Sequence, residues 1–155
     1  MNGKPPKSSY VEMVQQVLPG DTNPHATVFG GKVMQWIDTA GAVSAMRHTQ
    51  NPVVTASFDR VDFVAPAYNG EIIILRAQVN YTGKTSIEVG VRVEAENPMT
   101  GERCLTTEAL ITYVAIDKHG KPIPVVPLLP QTHDEKARFQ AGEERRKSRR
   151  LATRK

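Results

Sequence analysis

One stretch constrains this chain more than any other. From Gly31 or Lys32 to about His48 the sequence is nearly apolar, with Val33, Trp36, Ile37, Ala40 and Val43 recurring at helical spacing and Met34, Gly41, Ala42, Ala45 and Met46 filling most of the gaps. Only Lys32, Gln35, Asp38, Thr39, Ser44, Arg47 and His48 are polar. Apolar residues three and four apart specify a helix, and a helix apolar on most sides must be buried on most sides. Its small residues, Ala40, Gly41, Ala42, Ser44 and Ala45, let another backbone come close. Past Asn51-Pro52 the period changes from that of a helix to that of a strand. The helix must therefore be covered by a sheet.

Four long strands are expected, over 53–64, 71–81, 85–95 and 102–116. The third is the clearest: Ile87, Val89, Val91, Val93 and Ala95 face one way, and Glu88, Arg92 and Glu94 the other. In the second, Ile73, Leu75, Ala77, Val79 and Tyr81 share a face. The turns Thr82-Gly83-Lys84 and Asn97-Pro98-Met99-Thr100-Gly101 are short, so the strands pair antiparallel. A shorter strand over 9–18 precedes the helix. This is an α+β layout, an antiparallel sheet wrapped around one long central helix, with the sheet's polar side meeting solvent. The body spans 9–130. Residues 1–8 are expected to be disordered, the Pro-rich segment 122–130 to run extended along the surface, and 131–155 to form a basic tail with a charged helix over 134–151.

Charge is needed only to exclude a class. Residues 134–155 hold nine Lys/Arg and four Asp/Glu, while residues 1–133 hold eleven and twelve, so the net charge of +4 resides in the tail. The body is near neutral and no nucleic-acid partner is expected. The chain lacks an apolar run of about 18 residues, and its Lys4 and Lys7 are followed by no apolar stretch of a signal peptide, so the reading expects no membrane partner and a cytoplasmic protein. The single cysteine, Cys104, fits a reducing compartment and is expected to be a small buried side chain.

Chemistry centres on Asp38. A carboxylate in the middle of the most buried helix costs free energy unless it is paired, hydrogen-bonded or protonated; the bland alternative is a solvated residue facing away from the sheet. Phe29-Gly30-Gly31 opens the helix, and glycines there let a ligand reach free N–H groups suited to an oxyanion. Asn23, in the preceding loop, offers an amide to a water or a carbonyl, or is a turn residue. Gly31 and Asp38 are seven residues apart, on nearly one face and about 10 Å apart along the axis. One carbonyl cannot touch both, so a carbonyl served by the two would take its oxyanion donor and its carboxylate from different subunits. The four histidines, 25, 48, 119 and 133, sit at no metal-ligand spacing, and no metal is expected.

The run Asn23-Pro24-His25-Ala26-Thr27-Val28-Phe29-Gly30-Gly31-Lys32-Val33-Met34-Gln35-Trp36-Ile37-Asp38 resembles the signature of single-domain hotdog acyl-CoA thioesterases. Val54 to Pro66, Tyr81-Thr82-Gly83-Lys84-Thr85-Ser86 and Thr107 to Asp117 resemble the family's later strands and turn. The resemblance covers roughly residues 10–130. It implies a hotdog fold, a dimer with its sheets joined edge to edge, often a hexamer built as a trimer of dimers, and a place in fatty acid metabolism. It implies metal-free hydrolysis of acyl-CoA, with coenzyme A as part of the substrate and no separate cofactor. Asp38 would be the general base or nucleophile, Asn23 of the partner subunit would orient the water or thioester, and the Gly31 N–H would hold the oxyanion. Phe29, Gly30, Gly83, Lys84, Thr85 and Ser86 would bind substrate and coenzyme. One departure concerns Pro24-His25-Ala26-Thr27, where many members carry Gly-Thr or Gly-Asp; His25 could assist there. Ser57, Asp59 and Asp62 are read as structural.

Two other readings stay open. A hotdog dehydratase or hydratase generally needs a His–carboxylate pair, and His48 lies ten residues beyond Asp38. A non-catalytic acyl-CoA-binding hotdog protein usually carries a DNA-binding module, for which eight leading residues are too few.

Overall fold

The computed structural model describes residues 2–153. In chain order the elements are strand β1 (Val11–Gln16), helix α1 (Gly30–Thr49), strands β2 (Val53–Phe63), β3 (Ile72–Thr82), β4 (Ser86–Glu96) and β5 (Arg103–Ala115), and helix α2 (His133–Thr153). The strands form one antiparallel sheet in the order β1-β3-β4-β5-β2, which leaves β1 and β2 as its edges. Helix α1 packs across one face and touches every strand. Ile37, Ala40 and Ala45 of α1 meet Leu75, Val79, Ile87, Val89, Val93, Ile111 and Ala115 in the core. Burying each Ile, Leu or Val contributes roughly 1.5–3 kcal/mol, which is what seats the helix. At its end Gln50 takes a left-handed conformation with φ 58°, its N–H closing on the Met46 carbonyl, and Arg47 and His48 lie in the negative last turn.

The structure departs from the sequence reading in four places. First, residues 2–8 are tied down where disorder was expected: Pro6–Ser9 form a 3-10 turn, Lys4 pairs with the 122–130 strap through Pro127 and Leu129, and buried Ser9 accepts the Val79 N–H. Met1 lies outside the described residues. Second, only part of the sheet's polar face is left to solvent, where Arg92 and Glu108 are exposed, because α2 lies on the rest. Arg145 donates to both oxygens of buried Glu88, and Phe139 meets Tyr81 edge to face at 5.0 Å. Gly142 permits the approach, since a Cβ there would stand 2.6 Å from that of Tyr81.

Third, Tyr81 does not share a face with Val79. A register shift between them flips the strand, so that Tyr81 pairs with Glu88. Fourth, Cys104 is exposed, not buried. As expected, α1 is buried on most sides, and the single chain leaves one stripe of it open: Gln35, Thr39 and Met46 are exposed, with Asp38 and Ala42 half-buried beside them. That stripe and Thr55, on the open edge strand β2, share Asp38.

Candidate active site

Asp38 is half-buried where α1, β2 and β5 meet. Its Oδ1 accepts the Thr55 hydroxyl at 2.9 Å, and the Tyr113 hydroxyl lies 3.0 Å from both Oδ1 and the Asp38 main-chain carbonyl oxygen. Its Oδ2 takes no protein donor among the described residues. The carboxylate is thus held by one oxygen and open at the other. Tyr113 is fully buried, and burial, then the charge and the hydrogen bond of Asp38, push its phenol far above the ordinary tyrosine range. It therefore stays a neutral donor. Gly41 makes the contact possible: a Cβ there would stand 2.4 Å from the Tyr113 hydroxyl oxygen. The sequence reading expected this small residue to admit another backbone; it admits a phenol.

Neither Thr55 nor Tyr113 was singled out from sequence, though two signals pointed to the phenol. A buried tyrosine needs a partner for its hydroxyl, and a glycine inside a helix, about 1 kcal/mol worse than alanine, needs a reason. Thr55 had no such signal, because it becomes a partner only through the pairing of β2 with β5.

At the other end of the exposed stripe, α1 starts without a side-chain cap: Phe29 occupies the cap position, and the N–H groups of Gly30 and Gly31 have no acceptor among the described residues. The Phe29 ring lies over Gly31, where a Cβ would meet it at 2.8 Å, and Phe63 lies 3.7 Å from the corresponding point on Gly30. Both rings are largely exposed, at 60% and 54%. Beside them opens an apolar cavity of about 280 Å³ whose walls include Val28, Val33, Phe63, Val64 and Ile73. Trp36 is core, and Met34 is half-buried.

Asn23 is a turn residue within the chain. Its amide donates to the Thr27 hydroxyl at 2.8 Å, and its Oδ1 accepts the N–H groups of His25 at 2.9 Å and Thr27 at 3.3 Å. Neighbouring Ala26 sits at φ 63° in the left-handed region, and His25 is exposed. No hydrogen bond joins Asn23 or Gly31 to Asp38 in the single chain.

The turn Gly83-Lys84-Thr85-Ser86 is tied down by backbone hydrogen bonds. The Gly83 N–H donates to the Ser86 carbonyl at 2.9 Å, and the Lys84 and Thr85 carbonyls accept from Val125 and Ala115. Ser57 and Asp59 lie on the face opposite Asp38, where Asp59 joins Ser57, Thr112 and Arg149; Asp62 pairs with Arg60. Among the described residues no cluster of three His, Cys, Asp or Glu side chains could hold a metal, and no helix is long and apolar enough to cross a membrane.

A carboxylate pinned at one oxygen, uncapped glycine N–H groups two helical turns away and an apolar cavity beside them are parts for attack on an acyl carbonyl. Residues 25–102 match the family model of the thioesterase superfamily, and the chain belongs to that family, with its hotdog fold. It is 44% identical over 129 residues to an uncharacterised acyl-CoA thioester hydrolase of Bacillus subtilis, covering 83% of this chain and 75% of that one. A hexameric acyl-CoA thioesterase solved without ligand matches with a TM-score of 0.94 at 44% identity, covering 99% of this chain and 98% of the other. An acyl-CoA hydrolase of Staphylococcus aureus, solved with butyryl coenzyme A, coenzyme A and coenzyme A disulfide, matches with a TM-score of 0.88 at 38% identity, covering 97% and 94%. That hydrolase has also been solved with an aspartate, an asparagine or a threonine replaced by alanine.

Proposed function

We propose that this chain hydrolyses acyl-CoA thioesters to a free carboxylic acid and coenzyme A, with Asp38 as the general base. The observation that carries the reading is the Asp38 carboxylate, held at Oδ1 by Thr55 and Tyr113 and open at Oδ2 beside the exposed stripe of α1. Water bound at Oδ2 gives its proton to Asp38 as its oxygen attacks the thioester carbonyl carbon. The carbonyl oxygen becomes an oxyanion and is met by the Gly31 N–H at the positive end of the helix. Collapse of the intermediate breaks the C–S bond, and the proton on Asp38 passes to the departing thiolate. No metal is needed, and coenzyme A is part of the substrate.

The site is completed by a second copy. Gly31 and Asp38 are about 10 Å apart along α1, so one carbonyl reaches the carboxylate of one subunit and the glycine N–H and Asn23 of the other. The surface for this is the free edge of β2, with Val54, Phe63 and Val64 exposed; a long apolar edge strand left bare is an aggregation site. Two such edges side by side join the sheets and pair the α1 helices, and three dimers make the hexamer. The aspartate, asparagine and threonine replaced in the S. aureus hydrolase are separated in sequence as Asp38, Asn23 and Thr55 are, which supports these three as site residues. Phe29 and Gly30, the latter beside Phe63 of the cavity wall, receive the acyl group. A cytoplasmic setting belongs to the same proposal, since exposed Cys104 suits a reducing compartment.

A dehydratase is disfavoured because buried His48 is engaged elsewhere, its Nε2 2.6 Å from the Val126 carbonyl oxygen. A continuous free-thiol assay on acyl-CoA esters from short to long, with Asp38→Ala and Asn23→Ala in parallel, tests the proposal. The wild type is expected to release thiol and Asp38→Ala to lose roughly 10²–10⁴ in kcat while staying folded. Binding of acyl-CoA without turnover of any ester would make the protein a non-catalytic binder.

A further inference from the structure

Helix α2 carries most of the chain's surplus positive charge, but its arginines are not equivalent. Arg145 is spent on Glu88, and Arg149 on Asp59. Arg146, between them, is half-buried and has no carboxylate partner among the described residues; its one hydrogen bond goes to the Ser86 hydroxyl at 3.2 Å. Its guanidinium lies over Gly83, where a Cβ would stand 1.2 Å from one terminal nitrogen and 2.4 Å from Cζ. Gly83 is not in the left-handed region, so what it supplies is room for the cation. Lys84, next along the turn, is exposed and likewise has no ion-pair partner among the described residues. Two unneutralised cations, one from α2 and one from the turn, therefore meet beside the Ser86 hydroxyl.

We propose that Arg146 is a coenzyme-binding residue, which together with Lys84 takes the phosphates at the nucleotide end of coenzyme A. The proposal rests on the acyl-CoA reading above and makes α2 part of the substrate site. Ser86 pairs with Val114, the neighbour in β5 of Tyr113, whose hydroxyl holds Asp38. Ser86 is thus about one strand step, ~3.4 Å along the sheet, from the row of Tyr113, whose hydroxyl reaches Asp38 on the opposite face. A ligand engaging both must be long, with a charged head and a neutral arm, as a nucleotide joined to pantetheine is. The guanidinium keeps donors beyond the one on Ser86, and its planar fork suits phosphate.

Calorimetric titration of the full chain with coenzyme A and with pantetheine, which lacks the phosphates, tests this. Arg146→Gln is expected to weaken coenzyme A binding roughly tenfold and to leave pantetheine unchanged. Arg146→Lys should recover part of the loss. Lys147→Gln removes the same charge one residue along, from an exposed side chain 3.8 Å from Glu143, and should bind coenzyme A as the wild type does. Coenzyme A binding equally well to Arg146→Gln and Lys147→Gln would overturn the inference, as would a parallel loss for coenzyme A and pantetheine. Binding is read without turnover. If the wild type cleaves no thioester but Arg146→Gln still selectively loses coenzyme A, the inference stands and hydrolysis falls. If the wild type is an active hydrolase and Arg146→Gln binds normally, the inference falls and hydrolysis stands.

Discussion

The two faces of the sheet are finished to different degrees. Beneath α2 the charges of the polar face are paired within the chain, although a cavity of about 520 Å³ stays open beside Arg138 and Arg145: Glu88 takes two bonds from Arg145, Asp59 is held by Ser57, Thr112 and Arg149, and Tyr81 meets Phe139. On the β2 side, Asp38 keeps one free oxygen, the Gly30 and Gly31 N–H groups lack acceptors, and Phe29, Phe63 and Val64 are exposed. The closed face holds the fold together. The open side is where groups are left without partners in the single chain, as the proposed acyl site and subunit contact require.

The contrast breaks most readily on its closed side. Arg145→Met strands buried Glu88 without its cation and should destabilise the protein by about 2–3 kcal/mol in denaturant unfolding. This is below the 3–5 kcal/mol of a fully buried pair because Arg145 is partly in water. The folded variant should keep its kcat. On the open side, Gly41→Ala should do the reverse. Its Cβ pushes the Tyr113 hydroxyl off Asp38, so kcat is expected to fall roughly tenfold, the worth of one lost hydrogen bond to a charged group, with a smaller change in stability. A loss of stability without a loss of rate would mean that the phenol does not position the carboxylate.

The smallest effect is in pH dependence. Burial acts to raise the Asp59 carboxyl, but hydrogen bonds from Ser57, Thr112 and Arg149 and the charge of Arg149 outweigh it and hold the group below its ordinary value. Because its folded-state pKa is depressed, the stabilisation is fully present above the unfolded value of about 3.9 and is lost as pH falls through the folded-state value. Asp59→Asn should flatten that acid limb of the stability curve by about 1 kcal/mol while leaving neutral-pH turnover intact.

The helix and the four long strands were legible because each depends on periodicity, and Asp38 stood out because a charge in an apolar helix needs an explanation. What escaped depended on pairing. The bulge beside Val79 turns Tyr81 outward, and nothing in the alternation announces it. Thr55 becomes a donor to Asp38 only once β2 lies against β5. The tail was legible as a charged helix, but not as the lid of the polar face, because its partners Glu88, Asp59 and Ser86 lie far back in the chain. Asn23, Gly31 and Asp38 were chosen for their chemistry, and within one chain they remain apart.

That separation leads to the most direct measurement. A hybrid dimer of one Asp38→Ala subunit and one Asn23→Ala subunit, isolated by two affinity tags, concentrates both lesions in one site if the site is shared, and leaves the other site intact. The hybrid should then recover up to about half the wild-type turnover per dimer, from two parents that are each nearly inactive. A hybrid as inactive as its parents would contradict a site built from two subunits.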